Sequence, residues 1–180
     1  MGSNFMAVYV CDLDQIIQLL QSCDGTAVQA ITAAADQPLT ASESEALRLL
    51  VERRYVRDPH TSVADNGDVL IRAFERVCRH LCSSHAGVDM YEDEDETPLL
   101  WEFVWDAEDP LDLPTSPHGT PAVGWHDPEQ TAHYVTGFSR QRADGSIDEQ
   151  FLQPEELDVL IDLLTAAQAQ GRGVFVFRED

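Results

Sequence analysis

Cys78, Cys82 and His85 stand at positions i, i+4 and i+7. A helix that reached His85 would set two thiols and an imidazole on one face, donor types that suit zinc once the thiols ionise. The spacing lacks the close CxxC pairing of most structural zinc sites, and cysteine is often buried merely as a small hydrophobe, so the core reading comes first. The run Glu92, Asp93, Glu94, Asp95 and Glu96 offers carboxylates to a divalent cation. It has neither the alternating Asp/Asn positions nor the turn glycine of a calcium loop, and a solvated acidic segment is the better reading. Trp101, Trp105, His118, Trp125 and His126, with His133 nearby, define a candidate pocket around a long loop, with a histidine as general base. The plainer account places the tryptophans at the edge of the core and the histidines on the surface. A nucleophile elbow, a P-loop and a dinucleotide fingerprint are all absent from the sequence. Arg53, Arg54 and Arg57 read as the only basic cluster, suited to closing a helix and pairing with the chain's own acids. No catalytic residue, metal ligand or cofactor is assigned, and the chain reads as a binding protein rather than an enzyme.

Charge is the strongest feature of the composition. There are 33 Asp and Glu residues against 11 cations, every one of them arginine, for a formal net charge of −22. Such a polyanion is repelled by phosphate backbones and by anionic membrane surfaces, which argues against nucleic acid and membrane partners. Between Arg79 and Arg140 there is no lysine or arginine. That interval holds Asp89, the run from Glu92 to Glu96, Asp106, Glu108 and Asp109, which together are expected to meet a basic protein partner. A salt-adapted cytoplasm would also account for the acidity. The four cysteines are too few and too embedded in apolar segments to be the disulfide framework of a small secreted domain, so reduced thiols are expected. No apolar run of membrane-spanning length and no signal-like start occurs, and a cytoplasmic location is expected. The oligomeric state is not legible.

These residues must be held by a scaffold, and its central stretch is Phe5-Met6-Ala7-Val8-Tyr9-Val10-Cys11, an almost unbroken apolar run expected to form a strand buried on both faces. Asp12 and Gln15 then open an amphipathic helix as a capping box. A short helix is expected over Thr26 to Ala35, and another after a Ser42/Glu45 capping box. The segment Asp58 to Asp68 reads as a polar loop. The clearest helix follows, because Leu70, Phe74, Val77, Cys78 and Leu81 share one face. Leu99 to Trp105 is rich in strand formers and reads as a second strand. The Pro-, Gly- and Asp-rich stretch from Asp106 to Trp125 reads as a long loop. Asp127-Pro128-Glu129-Gln130 has the order of a helix start, and that helix is expected to reach about Phe138. Pro154-Glu155-Glu156 opens a last helix with Leu157, Leu160, Ile161, Leu164 and Ala167 on its apolar stripe. Val174-Phe175-Val176-Phe177 closes the chain as a strand expected to lie beside the first.

Three pieces in order resemble the YfbM-like proteins, a bacterial family without an established activity. They are the opening strand and helix from Met1 to Leu20, the segment Gly119 to Gln130, and Glu155-Glu156-Leu157 through Phe177. The resemblance implies an α+β fold, one domain over residues 1–180 with a small mixed β-sheet flanked by several α-helices. It implies no activity. The middle of the chain, with the Asp89 to Glu96 run and the helix from Asp68 to Cys82, departs from the pattern.

Overall fold

The computed structural model describes residues 4–34, 38–52, 54, 67–90, 98–105, 107, 110–111, 113, 122–146 and 152–179. The fold is α+β, with seven helices among the described residues and one four-stranded antiparallel sheet. Two compact units divide the chain. The sheet unit comprises Met1–Cys11, Ser83–Pro110 and Val123–Asp180, and the helical unit Asp12–Cys82 and Leu111–Ala122.

In the sheet unit, β1 (Asn4–Cys11), β2 (Ser84–Met90), β3 (Ala122–His126) and β4 (Gly173–Glu179) lie in the order β2-β1-β4-β3. The two ends of the chain meet as expected: β1 pairs antiparallel with β4, Val8 opposite Val176. On its other side β1 pairs antiparallel with β2, Val8 opposite Ala86. A mixed sheet was expected, and the observed one is antiparallel. Burial of Met6 to Cys11 and of Val174 to Phe177 makes both strands continuous apolar runs, a pattern that parallel strands share and that does not encode direction.

The expected strand from Leu99 to Trp105 is instead helix α5 (Pro98–Trp105). Leu100, Phe103 and Val104 are buried at i, i+3 and i+4 while Glu102 is exposed, so the helical period governs burial, and proline occupies the first position. The aromatic and β-branched residues suggested strand only because the segment is apolar nearly all round. The edge strand β2 was not expected. Its Ala86 and Val88 are buried and its His85, Gly87 and Asp89 exposed, the alternation of a strand with one face on the core.

Two helices complete this unit, α6 (Pro128–Asp144) and α7 (Pro154–Ala169). Asp127 caps α6 by accepting from the Gln130 N–H at 2.8 Å, while the Gln130 side chain accepts from the Asp127 N–H at 2.9 Å. The helix continues past Phe138 to a left-handed Gly145. α5 approaches α6 closely at Gly137, where a Cβ would stand 2.6 Å from Leu99 Cδ2. On α7, Leu157, Leu160, Leu163, Leu164 and Ala167 are buried and join Met6, Val8, Val10, Val88, Phe103, Phe138, Val174 and Val176 in one core. Each such leucine contributes about 1.5–3 kcal/mol by burial, more than the roughly 1 kcal/mol of a helix cap, so packing rather than capping holds α7 in place.

The helical unit contains α1 (Leu13–Ser22), α2 (Gly25–Ala34), α3 (Ala41–Val51) and α4 (Gly67–Leu81). Asp12 accepts from the Asp14 and Gln15 N–H groups at 3.0 and 3.3 Å, as a helix cap. α3 starts two positions earlier than expected: its capping box is Thr40 with Glu43, while Glu45 pairs with Arg48. On α4, Leu70, Ile71, Phe74, Val77 and Cys78 are buried, and α3 packs against it. The stretch Asp58 to Asn66 lies outside the described residues.

Candidate functional site

His126 ends β3 and is only 1 % exposed. Its Nε2 lies 2.7 Å from the Phe103 carbonyl oxygen. A carbonyl only accepts, so Nε2 carries the hydrogen and donates it. Phe103 belongs to the last turn of α5, whose carbonyls have no intrahelical partner, and the imidazole therefore satisfies a helix end. The ring stacks on Phe103, with centroids 4.9 Å apart and planes 20° apart, and meets Tyr134 at 4.7 Å. Phe103 in turn meets Tyr134 and Phe138 edge-on at 5.0 and 5.6 Å. This arrangement locks β3, α5 and α6 together.

The described tryptophans of the candidate pocket make other contacts. Trp125 and His126 are consecutive on a strand, so their side chains leave on opposite faces. Trp125 packs against Phe175, with ring centroids 4.6 Å apart. Trp101 and Trp105, one helical turn apart on α5, contact each other at 5.3 Å, and the buried Arg178 guanidinium lies 4.0 Å above the Trp105 ring in a cation–π contact. His133 is exposed on α6, and His118 lies outside the described residues. Among the described residues, His126, Trp125 and the Trp101–Trp105 pair belong to three separate packing groups. Leu111 and Leu113, inside the expected long loop, are buried.

The zinc geometry also fails, for a structural reason. Helix α4 ends at Leu81 and His85 is on β2, so the i, i+4, i+7 spacing does not fall on one helix face. Cys78 is buried, the Cys82 thiol donates to the Arg79 carbonyl at 3.3 Å, and His85 stacks on Tyr9 at 5.5 Å and 15°. Among the described residues no group of three or more His, Cys, Asp or Glu is placed to hold a metal. None of the four cysteines is in a disulfide.

Of the acids expected to meet a partner, Asp89 is exposed on the edge strand β2, and its N–H donates to Glu156 Oε1 at 3.2 Å. Glu92, Asp93, Glu94, Asp95, Glu96, Asp106, Glu108 and Asp109 lie outside the described residues. Asp127 is engaged as the α6 cap, and Glu102 and Glu129 are exposed. The charge is unevenly divided between the units. The sheet unit holds 21 of the 33 acids but only Arg140, Arg142, Arg172 and Arg178. Arg142 is bound to Asp158 at 2.7 Å, a contact that lowers the Asp158 pKa, and Arg178 is buried over Trp105. The helical unit has 12 acids and seven arginines. There Arg48 bridges Glu45 and Glu52 at 2.6 and 3.1 Å, Arg54 reaches Glu52 at 3.5 Å, and Arg79 meets Glu75 at 3.1 Å. Arg53 and Arg57 lie outside the described residues.

The family model described as Domain of unknown function (DUF7691) matches residues 1–179. The chain belongs to this family. No curated protein and no solved structure matches it. Nothing in the match connects this family to the YfbM-like proteins. For this DUF7691 domain no helix among the described residues is long and apolar enough to cross a membrane.

Sequence reasoning named His126 and missed its partners. The Phe103 carbonyl is 23 residues away, and only the knowledge that α5 is a helix with an open C-terminal end would have pointed to it. It also missed a second basic group, Arg76, Arg79 and His80 on α4, whose signal was helical spacing within a segment already recognised as a helix.

Proposed function

We propose that this DUF7691 protein is a non-enzymatic, cytoplasmic interaction domain whose acidic sheet unit covers a basic protein partner, as immunity proteins cover toxin enzymes. The supporting observation is the charge division: 21 acids against four arginines in one unit, two of those arginines already engaged by Asp158 and Trp105. An excess of one sign steers a partner of the other sign during diffusional encounter and suppresses like-charged competitors. In the sequence, the Glu92 to Glu96 run follows one residue after the edge strand β2. In this role the aromatic and histidine residues serve the core.

The test is the association rate with a partner captured from the native host and identified, measured from low to high salt. Neutralising Glu92, Asp93, Glu94, Asp95 and Glu96 to their amides lowers the rate at low salt by roughly tenfold or more and flattens its salt dependence. Equal rates and equal salt slopes for the two proteins would refute the proposal.

A further inference from the structure

Arg76, Arg79 and His80 of α4 line a cavity of about 160 Å³, and Ile31 and Ala34 of α2 line it too. Cations near a helix C-terminus are favoured by the helix dipole, which accounts for Arg79 and His80 in the last turn of α4. Arg79 is also paired with Glu75. Neither reason reaches Arg76. It precedes the last turn, is half-buried, and has no hydrogen bond or ion pair with any described residue. α2 carries no charged side chain. Glu43 of α3 feels Arg76 and Arg72 only through space, because its carboxylate is committed to the Thr40 N–H at 2.8 Å. A half-buried guanidinium without a carboxylate among the described residues is unexpected in a chain with 33 acids.

We infer that this cavity binds the oxyanion group of a small molecule, a phosphoryl or carboxylate group. The Arg76 fork supplies two parallel N–H donors, the geometry that planar and tetrahedral oxyanions accept, and His80 supplies another. The volume is below the 300–1,000 Å³ or so of sites that enclose drug-sized ligands, and it suits one anionic head group with the remainder of the molecule outside. The site belongs wholly to the helical unit and does not depend on the charge of the sheet unit.

The experiment compares inorganic phosphate, acetate and chloride at equal ionic strength on the full chain. Phosphate or acetate raises the melting temperature above the chloride control by about 3–5 °C at ten times its dissociation constant. The more effective of the two assigns the phosphoryl or the carboxylate class. Amide resonances of residues 31–34 and 76–81 shift during the titration while those of β1 and β4 do not. Arg76→Gln abolishes both responses, and Arg76→Lys retains a weaker one. An equal response to all three salts, shifts spread over the whole chain, or an unchanged response in Arg76→Gln would overturn the inference. If Arg76→Gln does not fold, the resonance map of the unsubstituted chain decides alone.

Discussion

Replacing His126 with phenylalanine separates a core histidine from a catalytic one. Phenylalanine preserves an aromatic ring against Phe103 and Tyr134, so the stacking contribution of about 0.5–1.5 kcal/mol per aromatic pair is largely retained. What disappears is the Nε2 hydrogen bond to the Phe103 carbonyl. That oxygen belongs to a residue with 0 % exposure at the end of an eight-residue helix, so water does not replace the lost donor. A buried acceptor left without a partner costs about 1–3 kcal/mol. For a chain of this size each kcal/mol lowers the melting temperature by about 2–4 °C, so His126→Phe melts roughly 2–12 °C lower. Urea unfolding gives the same free-energy loss as a shifted midpoint at constant slope. His133→Phe is the control, because His133 is exposed on the neighbouring helix and its replacement stays within about 0.5 kcal/mol. A His126→Phe variant as stable as the His133→Phe control would show that the imidazole does not hold the end of α5.

Two further outcomes test the sheet and the helical unit. Gly173 begins β4 at a point where a Cβ would collide with the His126 carbonyl and the Trp125 ring; Gly173→Ala is expected to cost about 1–3 kcal/mol by overpacking, read as an earlier urea midpoint. In the α3 capping box, the Thr40 backbone N–H and then the Thr40 hydroxyl hold the Glu43 carboxyl below its ordinary pKa of 4.5. A depressed acid stabilises the fold above its unfolded pKa and loses that contribution as pH falls through the folded value. Glu43→Gln therefore melts below the unsubstituted chain at pH 7, and the gap narrows as pH falls below about 4.5; a gap independent of pH would refute the assignment.

The parts of the fold that the sequence announces are those where burial writes itself as a long pattern. Strands β1 and β4 are buried on both faces and read as unbroken apolar runs, and their pairing followed from being the two such runs. Asp127-Pro128 stated the start of α6 because capping chemistry is local. Strand β2 was hidden because its buried set is only Ala86 and Val88, set among serine, histidine, glycine and aspartate, none a strong strand former. Strand β3 was absorbed into a glycine- and proline-rich stretch. Its Gly124 sits where a Cβ would collide with Ala107, so the residue that reads as a loop signal is required by a close approach within the fold. Helix α5 was misread because an apolar segment of eight residues fits either period. The role of His126 depends on two of those misread elements, β3 and α5, and hence its packing group could not be assembled before they were placed.

The acidity of the chain can change without dismantling the fold, and this makes a function carried by charge testable. No described aspartate or glutamate is buried; among polar side chains the interior takes His126, Thr131 and Arg178. The core of the sheet unit is aliphatic and aromatic, and its stability scales with apolar area removed from water, a quantity that surface carboxylates do not alter. Repulsion among exposed carboxylates is screened beyond about 8 Å at physiological ionic strength, so its effect on stability is largely local. Attraction to an approaching partner instead grows with the summed charge of the whole face. Neutralising acids one by one therefore changes encounter rate faster than it changes stability, whereas substitutions at His126, Phe103 or Leu164 do the reverse. A set of surface variants whose melting temperature tracked their partner-association rate would contradict this separation of scaffold from charge.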